Sequence, residues 1–371
     1  MRICVDIRYN TKSGMSSFIY NFTRHLIKSD QKCEYVFLMD RPFEEIDLSQ
    51  FDTLHVPQGG PLLQMSWVQA VLPGLLKRKG IKIYHSLKHL GPLYCPAFKT
   101  MYTVGAAGQH SGIYPVSFKE TLYWKYLQGA LLKNADLIVA HSNYIRDCLM
   151  DSLKISAERV VTIYNGRDEY FQPLQDMKSV EECLEKLEVR QPFVLCVGNV
   201  VPVKNYKTVL RAYKQLVEQK KMDAKLIIAG ATGGRHFYDL EKLIREWKLE
   251  GSVKFIGQVG KPDLRCLYNA AEMLIHPSLH EGFCAAIVEA MACGLPVVCS
   301  STTSLPEVVG DAAMIYNDPE DAEALASRME TLFTSKTTRD RLSERALKRA
   351  SQFSWSRCVN ETIGLYGKLS N

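Results

Sequence analysis

Short apolar runs alternate with longer amphipathic stretches along the whole chain. The runs predict strands of buried parallel sheets, and the stretches between them predict helices. In the first half the predicted strands are Ile3–Ile7, Tyr35–Met39, Lys82–His85, Thr100–Val104 and Leu137–Ala140. In the second half they are Phe193–Val197, Lys225–Ala229, Val253–Ile256, Met273–His276 and Pro296–Cys299. This alternation is typical of an α/β protein with doubly wound parallel sheets.

The length indicates two domains, because the chain has 371 residues and single domains cluster at about 100 to 200. A strand pattern ends at Asn165-Gly166 in a turn signal, and a polar stretch follows. We therefore predict an N-terminal domain over residues 1–170 and a C-terminal domain over residues 171–352. Ligands bind beyond the carboxyl ends of parallel strands, so a cleft between the two domains is the expected site.

Composition narrows the classes of partner. The chain has 46 basic and 40 acidic residues, which are spread along its length. The resulting formal charge of +6 is small and diffuse. This argues against nucleic acid and suits phosphate-bearing ligands or an anionic lipid surface. Eleven irregularly spaced cysteines indicate free thiols in a reducing compartment, and no metal-ligand spacing occurs, so no metal is expected. We expect a cytoplasmic protein, or at most one peripheral to the inner face of a membrane.

The most informative segment runs from Glu281 to Glu289. A predicted strand precedes it, and a helix follows that ends at Gly294. The two carboxylates are about 80° apart around the helix, so they can contact separate parts of one extended ligand. The backbone N–H groups of Gly282, Phe283, Cys284 and Ala285 favour phosphate oxygens. The alternative is a capping Glu281 and a solvated Glu289, but the helix around Glu289 is apolar nearly all round.

The segment from Glu281-Gly282-Phe283 to Gly294-Leu295-Pro296 resembles the E-x7-E signature of glycosyltransferase family 4. The resemblance implies a GT-B fold, in which two Rossmann-like domains face a central cleft. It also implies transfer of a sugar from a nucleoside diphosphate, with retention and without a metal. In that family the first acid contacts the donor sugar and the second holds the ribose, which assigns these roles to Glu281 and Glu289. It further implies that residues 353–371 pack back onto the first domain.

Three more segments resemble parts of the same family. The loop from Gly198-Asn199 to Lys204 resembles the turn whose lysine lies beside the diphosphate. This resemblance implies that Lys204 neutralises the charge of the leaving diphosphate. Gly257-Gln258-Val259 resembles the turn that meets the base through its backbone, and Gly14 resembles the first glycine loop of the N-terminal domain. Judged by the residues alone, Lys204 could equally be a surface lysine, and the glycines could be ordinary strand-end turns.

Two positions depart from the family pattern. Val203 stands where many relatives carry an arginine before the lysine. Gly105-Ala106 stands where relatives usually carry His-Asp, whose histidine reaches the donor sugar. His110 is a candidate replacement for this histidine, although a surface histidine in a loop is the ordinary interpretation.

The predicted function is retaining transfer from a UDP- or GDP-linked sugar to a hydroxyl of a glycan, a lipid-linked acceptor or a small molecule. The departures leave open a non-catalytic or partner-dependent sugar-nucleotide binding protein, and a GT-B sugar-nucleotide epimerase also stays open. No Gly-x-Gly-x-x-Gly motif occurs, so no dinucleotide cofactor is expected. An apolar stripe over residues 118–133 could rest on a membrane, or could equally be the inner face of a packed helix.

Overall fold

The computed structural model describes residues 1–8, 14–30, 32–41, 46–88, 90–105 and 127–370. The chain divides into two compact units. Unit 1 contains Met1–Gly166 together with Ser354–Asn371, and unit 2 contains Arg167–Phe353. The boundary at Gly166 lies slightly before the boundary predicted at residue 170.

Unit 1 is built on a parallel sheet of seven strands in its described part, in the order β3-β2-β1-β4-β5-β6-β7. The strands are β1 (Arg2–Asp6), β2 (Glu34–Met39), β3 (Asp52–His55), β4 (Ile83–Ser86), β5 (Lys99–Val104), β6 (Leu137–Ala140) and β7 (Val160–Thr162). The helices before the domain boundary are α1 (Gly14–Ser29), α2 (Pro61–Ala70), α3 (Leu72–Arg78), α4 (Gly129–Asn134) and α5 (Asn143–Leu153). The order reverses between β1 and β4, which makes this the switch point of the sheet.

Unit 2 repeats the pattern with six parallel strands in the order β10-β9-β8-β11-β12-β13. Its strands are β8 (Phe193–Val197), β9 (Lys225–Ala229), β10 (Val253–Gly257), β11 (Leu274–His276), β12 (Val297–Ser300) and β13 (Ala313–Tyr316). Its helices are α6 (Met177–Lys186), α7 (Tyr206–Glu218), α8 (Gly234–Glu246), α9 (Lys261–Ala270), α10 (Ala285–Ala292), α11 (Leu305–Val309), α12 (Ala322–Thr334) and α13 (Lys336–Ala350). The switch point of this sheet lies between β8 and β11.

The last helix, α14 (Trp355–Ser370), belongs to the core of unit 1. Its buried face packs against α1, and Tyr366 Oη lies 2.7 Å from Nδ1 of His85 on β4. A Cβ atom on Gly166 would meet the backbone nitrogen of Trp355 at 2.2 Å. Only glycine therefore allows the two chain segments to pass each other at the edge of unit 1.

The ten strands predicted from apolar runs are all observed, with ends that agree to within a residue or so. The strand pattern that ends at Asn165-Gly166 corresponds to β7, and the sequence analysis missed β3 and β13, each of which lies at one edge of its sheet. β3 is polar at Asp52, Thr53 and His55, so it lacks the continuous apolar run of a central strand. β13 is apolar throughout but only four residues long, and it was overlooked. Most of the stripe over residues 118–133 lies outside the described residues. In the described part of the chain, no helix has the length and apolar character needed to span a bilayer.

Candidate active site

The loops that follow β8 and β11 leave their sheet on the two sides of its switch point. Parallel strands direct these loops to the same edge, where α/β folds bind ligands. The loop after β8 contains Lys204, and the loop after β11 contains Glu281. The Lys204 ammonium lies 2.6 Å from Oε1 of Glu281. The structure thus brings together the two residues that the sequence assigns to the donor phosphate and the donor sugar.

Close backbone packing shapes the start of the loop after β8. Gly198 has a φ of 145°, and a Cβ atom on Gly230 would lie 2.0 Å from the Gly198 carbonyl oxygen. The backbone N–H of Ala231 donates to Oδ1 of Asn199 at 3.3 Å. Asn199 therefore fastens the loops after β8 and β9 to each other. Sequence reasoning missed Gly230, because its role depends on a neighbouring strand.

The end of the same loop is anchored by Asn205. This residue is buried in the left-handed conformation with a φ of 54°, and its side-chain amide donates to the carbonyl oxygens of Pro277 at 3.2 Å and Pro319 at 2.6 Å. The Leu279 N–H also donates to the Val203 carbonyl at 2.8 Å. The loops after β8, β11 and β13 are thereby joined, which fixes the backbone beneath Lys204.

The Glu281 carboxylate has a second partner that sequence reasoning did not identify. His276 is buried at the end of β11, and its Nε2 lies 2.9 Å from Oε1 of Glu281. A carboxylate only accepts hydrogen bonds, so Nε2 carries the proton and donates it. The backbone of Glu281 is also held, because its N–H donates to Oγ1 of Thr303 at 2.9 Å and its carbonyl accepts from Ser304 at 3.0 Å.

These contacts keep Glu281 ionised. Burial alone would raise the pKa of Glu281, but the Lys204 ammonium and the His276 hydrogen bond hold the pKa well below its ordinary value. Burial also lowers the pKa of His276 from its ordinary value. The charge pattern at this edge is therefore one anionic carboxylate, one ammonium and a neutral imidazole. The Lys204 and Glu281 side chains are 20% and 14% exposed, so both can reach a ligand at the edge.

The predicted phosphate-binding segment, Gly282 to Ala285, forms the entry to α10. Cys284 caps the helix in the left-handed conformation, with a φ of 68°, and Ala285 begins it with its side chain exposed. Phe283 is buried against Phe353, with ring centroids 5.3 Å apart. The first turn of a helix has N–H groups without intrahelical acceptors, so this entry provides donors for an anion.

Glu289 lies on α10 and is partly buried. Its Oε2 accepts a hydrogen bond from Tyr268 Oη at 3.3 Å. Burial, with a smaller contribution from the nearby Asp168 carboxylate, raises the pKa of Glu289 to about 7. Asp168 forms an ion pair with Lys261, which limits its effect on Glu289. This environment agrees with the apolar helix predicted from the sequence and excludes the solvated face.

One group of side chains in the described part of the chain has the chemistry of a metal site. The ligand-type atoms of His276, Glu281 and Cys284 lie within 4.8 Å of one another. However, Cys284 Sγ and Glu281 Oε1 are 3.2 and 2.9 Å from His276 Nε2, which are hydrogen-bond contacts, and the Lys204 ammonium contacts the same carboxylate oxygen. In this structure the three residues are therefore hydrogen-bonded around the ion pair of Lys204 and Glu281.

The remaining predicted residues lie at other positions of the fold. Val259 is partly buried in the turn after β10, and Gly14 is the first residue of α1 in unit 1. Val203 is a buried residue beside Lys204. Gly105 follows β5, while Ala106 and His110 lie outside the described residues.

Comparison with known proteins identifies the family of the chain. Residues 12–170 match the family described as "Glycosyltransferase Family 4", and residues 182–349 match the family described as "Glycosyl transferases group 1". The chain belongs to glycosyltransferase family 4. The two matched regions cover most of both units, so membership rests on the whole molecule and not on the Glu281–Glu289 segment alone.

Curated relatives of this family 4 chain include mannosyltransferases. It is 35% identical to O-antigen chain mannosyltransferase B of Escherichia coli, over 65% of this chain and 64% of that protein. It is 27% identical to the serotype-specific mannosyltransferase WbdA of Escherichia coli, over 65% of this chain and 30% of that protein. The match therefore spans less than two thirds of the length of these relatives.

Solved structures establish the same fold. Anabaena HepE in complex with UDP and glucose aligns with a TM-score of 0.77 at 20% sequence identity, covering 98% of this chain and 99% of that chain. Two doubly wound parallel sheets in one chain, together with this similarity, give the GT-B class that the sequence predicts.

Proposed function

We propose that this chain is a retaining glycosyltransferase that transfers a hexose from a nucleoside diphosphate sugar to a hydroxyl group of a glycan or lipid-linked acceptor. Mannose is the first donor sugar to test, since the curated relatives are mannosyltransferases. The observation that carries the proposal is the contact of Lys204 with Glu281 at the switch point of unit 2. This contact places an ammonium group that can bind a diphosphate next to a carboxylate that can accept hydrogen bonds from sugar hydroxyl groups.

Donor binding requires Lys204 to exchange partners. In the structure its ammonium is paired with Glu281 at 2.6 Å, and a diphosphate offers it a stronger anionic partner. Glu281 would then keep the His276 hydrogen bond and direct its carboxylate at the hydroxyl groups of the sugar. The N–H groups at the entry of α10 would bind phosphate oxygens, and Glu289 would accept from the ribose hydroxyl groups.

The reaction breaks the bond between the anomeric carbon and the phosphate oxygen, and the electron pair leaves with the diphosphate. Lys204 and the helix N–H groups neutralise the charge that develops on this leaving group. The acceptor hydroxyl forms the new bond on the face from which the phosphate departs, and its proton passes to a phosphate oxygen. The products are a glycoside of unchanged anomeric configuration and a nucleoside diphosphate. The proposed step uses neither a metal nor a covalent enzyme intermediate.

Ligand stabilisation tests the donor assignment without knowledge of the acceptor. The melting temperature is measured with GDP-mannose, UDP-glucose and UDP-N-acetylglucosamine, because a ligand that binds only the folded state raises it. One of these donors should stabilise the wild-type chain, and Glu289→Ala should lose the effect. Glu344→Ala, an exposed glutamate on α13, is the matched control and should keep it. No shift with any donor at millimolar concentration contradicts the proposal.

A further inference from the structure

Two partly exposed cysteines of unit 2 lie on neighbouring helices. The chain has eleven cysteines, of which six are buried and five are partly exposed. The exposed group consists of Cys33, Cys95, Cys148, Cys183 and Cys266. Cys183 belongs to α6 and Cys266 belongs to α9, and these two helices pack against each other. Two accessible thiols are therefore carried by elements that are in contact, although they are far apart in the sequence.

An ion pair one helical turn away shows how α6 and α9 face each other. The Lys186 ammonium contacts both carboxylate oxygens of Asp263, at 2.9 and 3.0 Å. Cys183 lies one turn before Lys186 on α6, and Cys266 lies one turn after Asp263 on α9. Residues three apart share one face of a helix, and the opposite directions are those of antiparallel helices. Cys183 and Cys266 are therefore the next facing pair along the contact that begins with Lys186 and Asp263.

The two thiols are in contact at this position. Cys183 is within hydrogen-bond reach of Cys266, and its Sγ lies 3.7 Å from Oδ1 of Asp263. Burial, together with the neighbouring Cys266 thiol and the Asp263 carboxylate, raises the pKa of Cys183 to about 12. Because the thiolate is the reactive form of cysteine, the first attack on an oxidant falls to Cys266, with the Cys183 thiol beside it.

The spacing of packed helices suits a bond between the two sulfurs. Helix axes in contact lie about 8 to 10 Å apart, and each Cα atom stands about 2.3 Å from its own axis. The Cα atoms of two facing residues therefore come within the roughly 4.4 to 6.8 Å that a disulfide spans. The bond can form without separating α6 from α9.

We propose that Cys183 and Cys266 are a thiol modification site, at which an oxidant of the peroxide class forms a reversible disulfide between α6 and α9. The Cys266 sulfur attacks one peroxide oxygen, which breaks the O–O bond and gives a sulfenic acid and one water. The Cys183 sulfur then attacks the Cys266 sulfur, the S–O bond breaks, and the hydroxide leaves with the Cys183 proton as a second water. Each sulfur loses one electron and the peroxide is reduced, and a dithiol reverses the bond by exchange.

The crosslink restrains a helix that also supports the donor site. Tyr268 on α9 donates to Glu289 at 3.3 Å, and Lys261 at the start of α9 forms an ion pair with Asp168. The disulfide closes a loop of about 80 residues inside unit 2, so it lowers the entropy of the unfolded unit and stabilises the folded one. The modification site does not depend on the proposed transfer activity, and its test needs neither donor nor acceptor.

The test is peptide mapping of the full chain after treatment with a small molar excess of hydrogen peroxide. Free thiols are blocked with iodoacetamide, and the chain is digested without a reductant. A linked pair of peptides that contain Cys183 and Cys266 should appear, two hydrogens lighter than the reduced peptides together, and dithiothreitol should remove it. The melting temperature should rise by about 5 °C or more on oxidation and return on reduction.

Serine variants separate the crosslink from general oxidation. Cys183→Ser and Cys266→Ser should each lose the linked peptides and the rise in melting temperature, because a disulfide needs both sulfurs. Cys148→Ser removes a partly exposed cysteine of unit 1 and should keep both effects. The proposal is overturned if peroxide leaves Cys183 and Cys266 unlinked, or links either of them to a different cysteine. A rise in melting temperature that persists in Cys266→Ser overturns the stabilising role of the crosslink.

Discussion

Glu289 has a pKa of about 7, raised by burial, so the folded protein holds this proton more tightly than the unfolded chain. As the pH rises from the ordinary value of 4.5 through about 7, the group binds more protons in the folded than in the unfolded state. The free energy of unfolding therefore decreases over this window on account of Glu289. Glu289→Gln should be more stable than the wild-type chain at pH 8 by on the order of 1 kcal/mol, and this gain should vanish below pH 4.5.

Urea unfolding at a series of pH values measures this difference. Glu344→Gln on α13 is the control, because its carboxylate is exposed. A constant difference between Glu289→Gln and the wild-type chain from pH 4.5 to pH 8 would show that Glu289 titrates as an ordinary glutamate.

His276 positions Glu281 through a hydrogen bond of 2.9 Å. In the proposed donor complex this contact stays in place when Lys204 moves to the diphosphate. His276→Met fills similar volume without a donor, and His276→Gln offers an N–H in place of Nε2. We expect kcat to fall about 10- to 100-fold in the methionine variant, as for loss of a hydrogen bond to a charged group, while the glutamine variant recovers most of it. Steady-state rates with the preferred donor give kcat and KM separately.

A purely structural role for His276 gives a different result. Both variants would then lose stability and activity together, and glutamine would not restore turnover. Because we propose that His276 orients Glu281 and does not contact the diphosphate, KM for the donor should change little in either variant.

The sequence identified candidate residues for the chemistry but not the residues that position them. Glu281, Glu289 and Lys204 lie in segments that resemble family motifs, and for Lys204 this resemblance, not the residue type, led to the assignment. His276, Asn205 and Gly230 act through contacts with other loops or strands, which residue order does not reveal. His276 offered one weak signal, a polar residue that ends an apolar strand five positions before Glu281.

At the scale of elements, the loops after β8 and β9 depend on the absence of a side chain at Gly230. A Cβ atom there would lie 2.0 Å from the Gly198 carbonyl, and backbone cannot yield as a flexible side chain does. Gly230→Ala should cost about 2 kcal/mol or more of unfolding free energy and displace the loop that contains Lys204. Urea unfolding and the thermal shift with the preferred donor measure the two effects.

Gly251→Ala is the matched substitution in the same unit, because nothing lies within 4 Å of its added Cβ. It should keep both stability and the donor shift. If Gly230→Ala behaves like Gly251→Ala, the close approach of the two loops does not exist in solution.

The elements themselves were predictable where strands are buried on both faces. β1, β8 and β12 form continuous apolar runs, and the sequence places them correctly. β3 contacts one neighbouring strand and is largely polar, so no apolar run marks it. β13 is apolar throughout and was overlooked although its residues indicate a strand. The near-continuity of α2 and α3 was also not predicted, because Pro73 interrupts the pattern.

For the whole molecule, each unit has its own core, and α14 completes the core of unit 1 from the far end of the chain. Trp355→Ala should destabilise unit 1 by about 3 to 5 kcal/mol. Calorimetry should show two transitions, of which this variant lowers only one. The preferred donor should raise mainly the other, since the contacts proposed for Lys204, Glu281 and Glu289 lie in unit 2. A single transition that moves with both changes would contradict independent units.

The whole-molecule organisation was predictable because alternating strands and helices favour few arrangements. The function was harder to predict from the sequence. The donor sugar and the acceptor depend on the shape of loops, and no general rule relates loop sequence to the sugar that is bound.

The central claim is that Lys204 binds the donor's diphosphate at the switch point of unit 2. Calorimetric titration of the nucleoside diphosphate of the preferred donor into wild-type and Lys204→Met chains tests it most directly. We predict that Lys204→Met weakens binding at least tenfold, while Lys207→Met, an exposed lysine on α7 without an ion pair among the described residues, leaves it unchanged. Equal affinity of the Lys204→Met and wild-type chains would contradict the account.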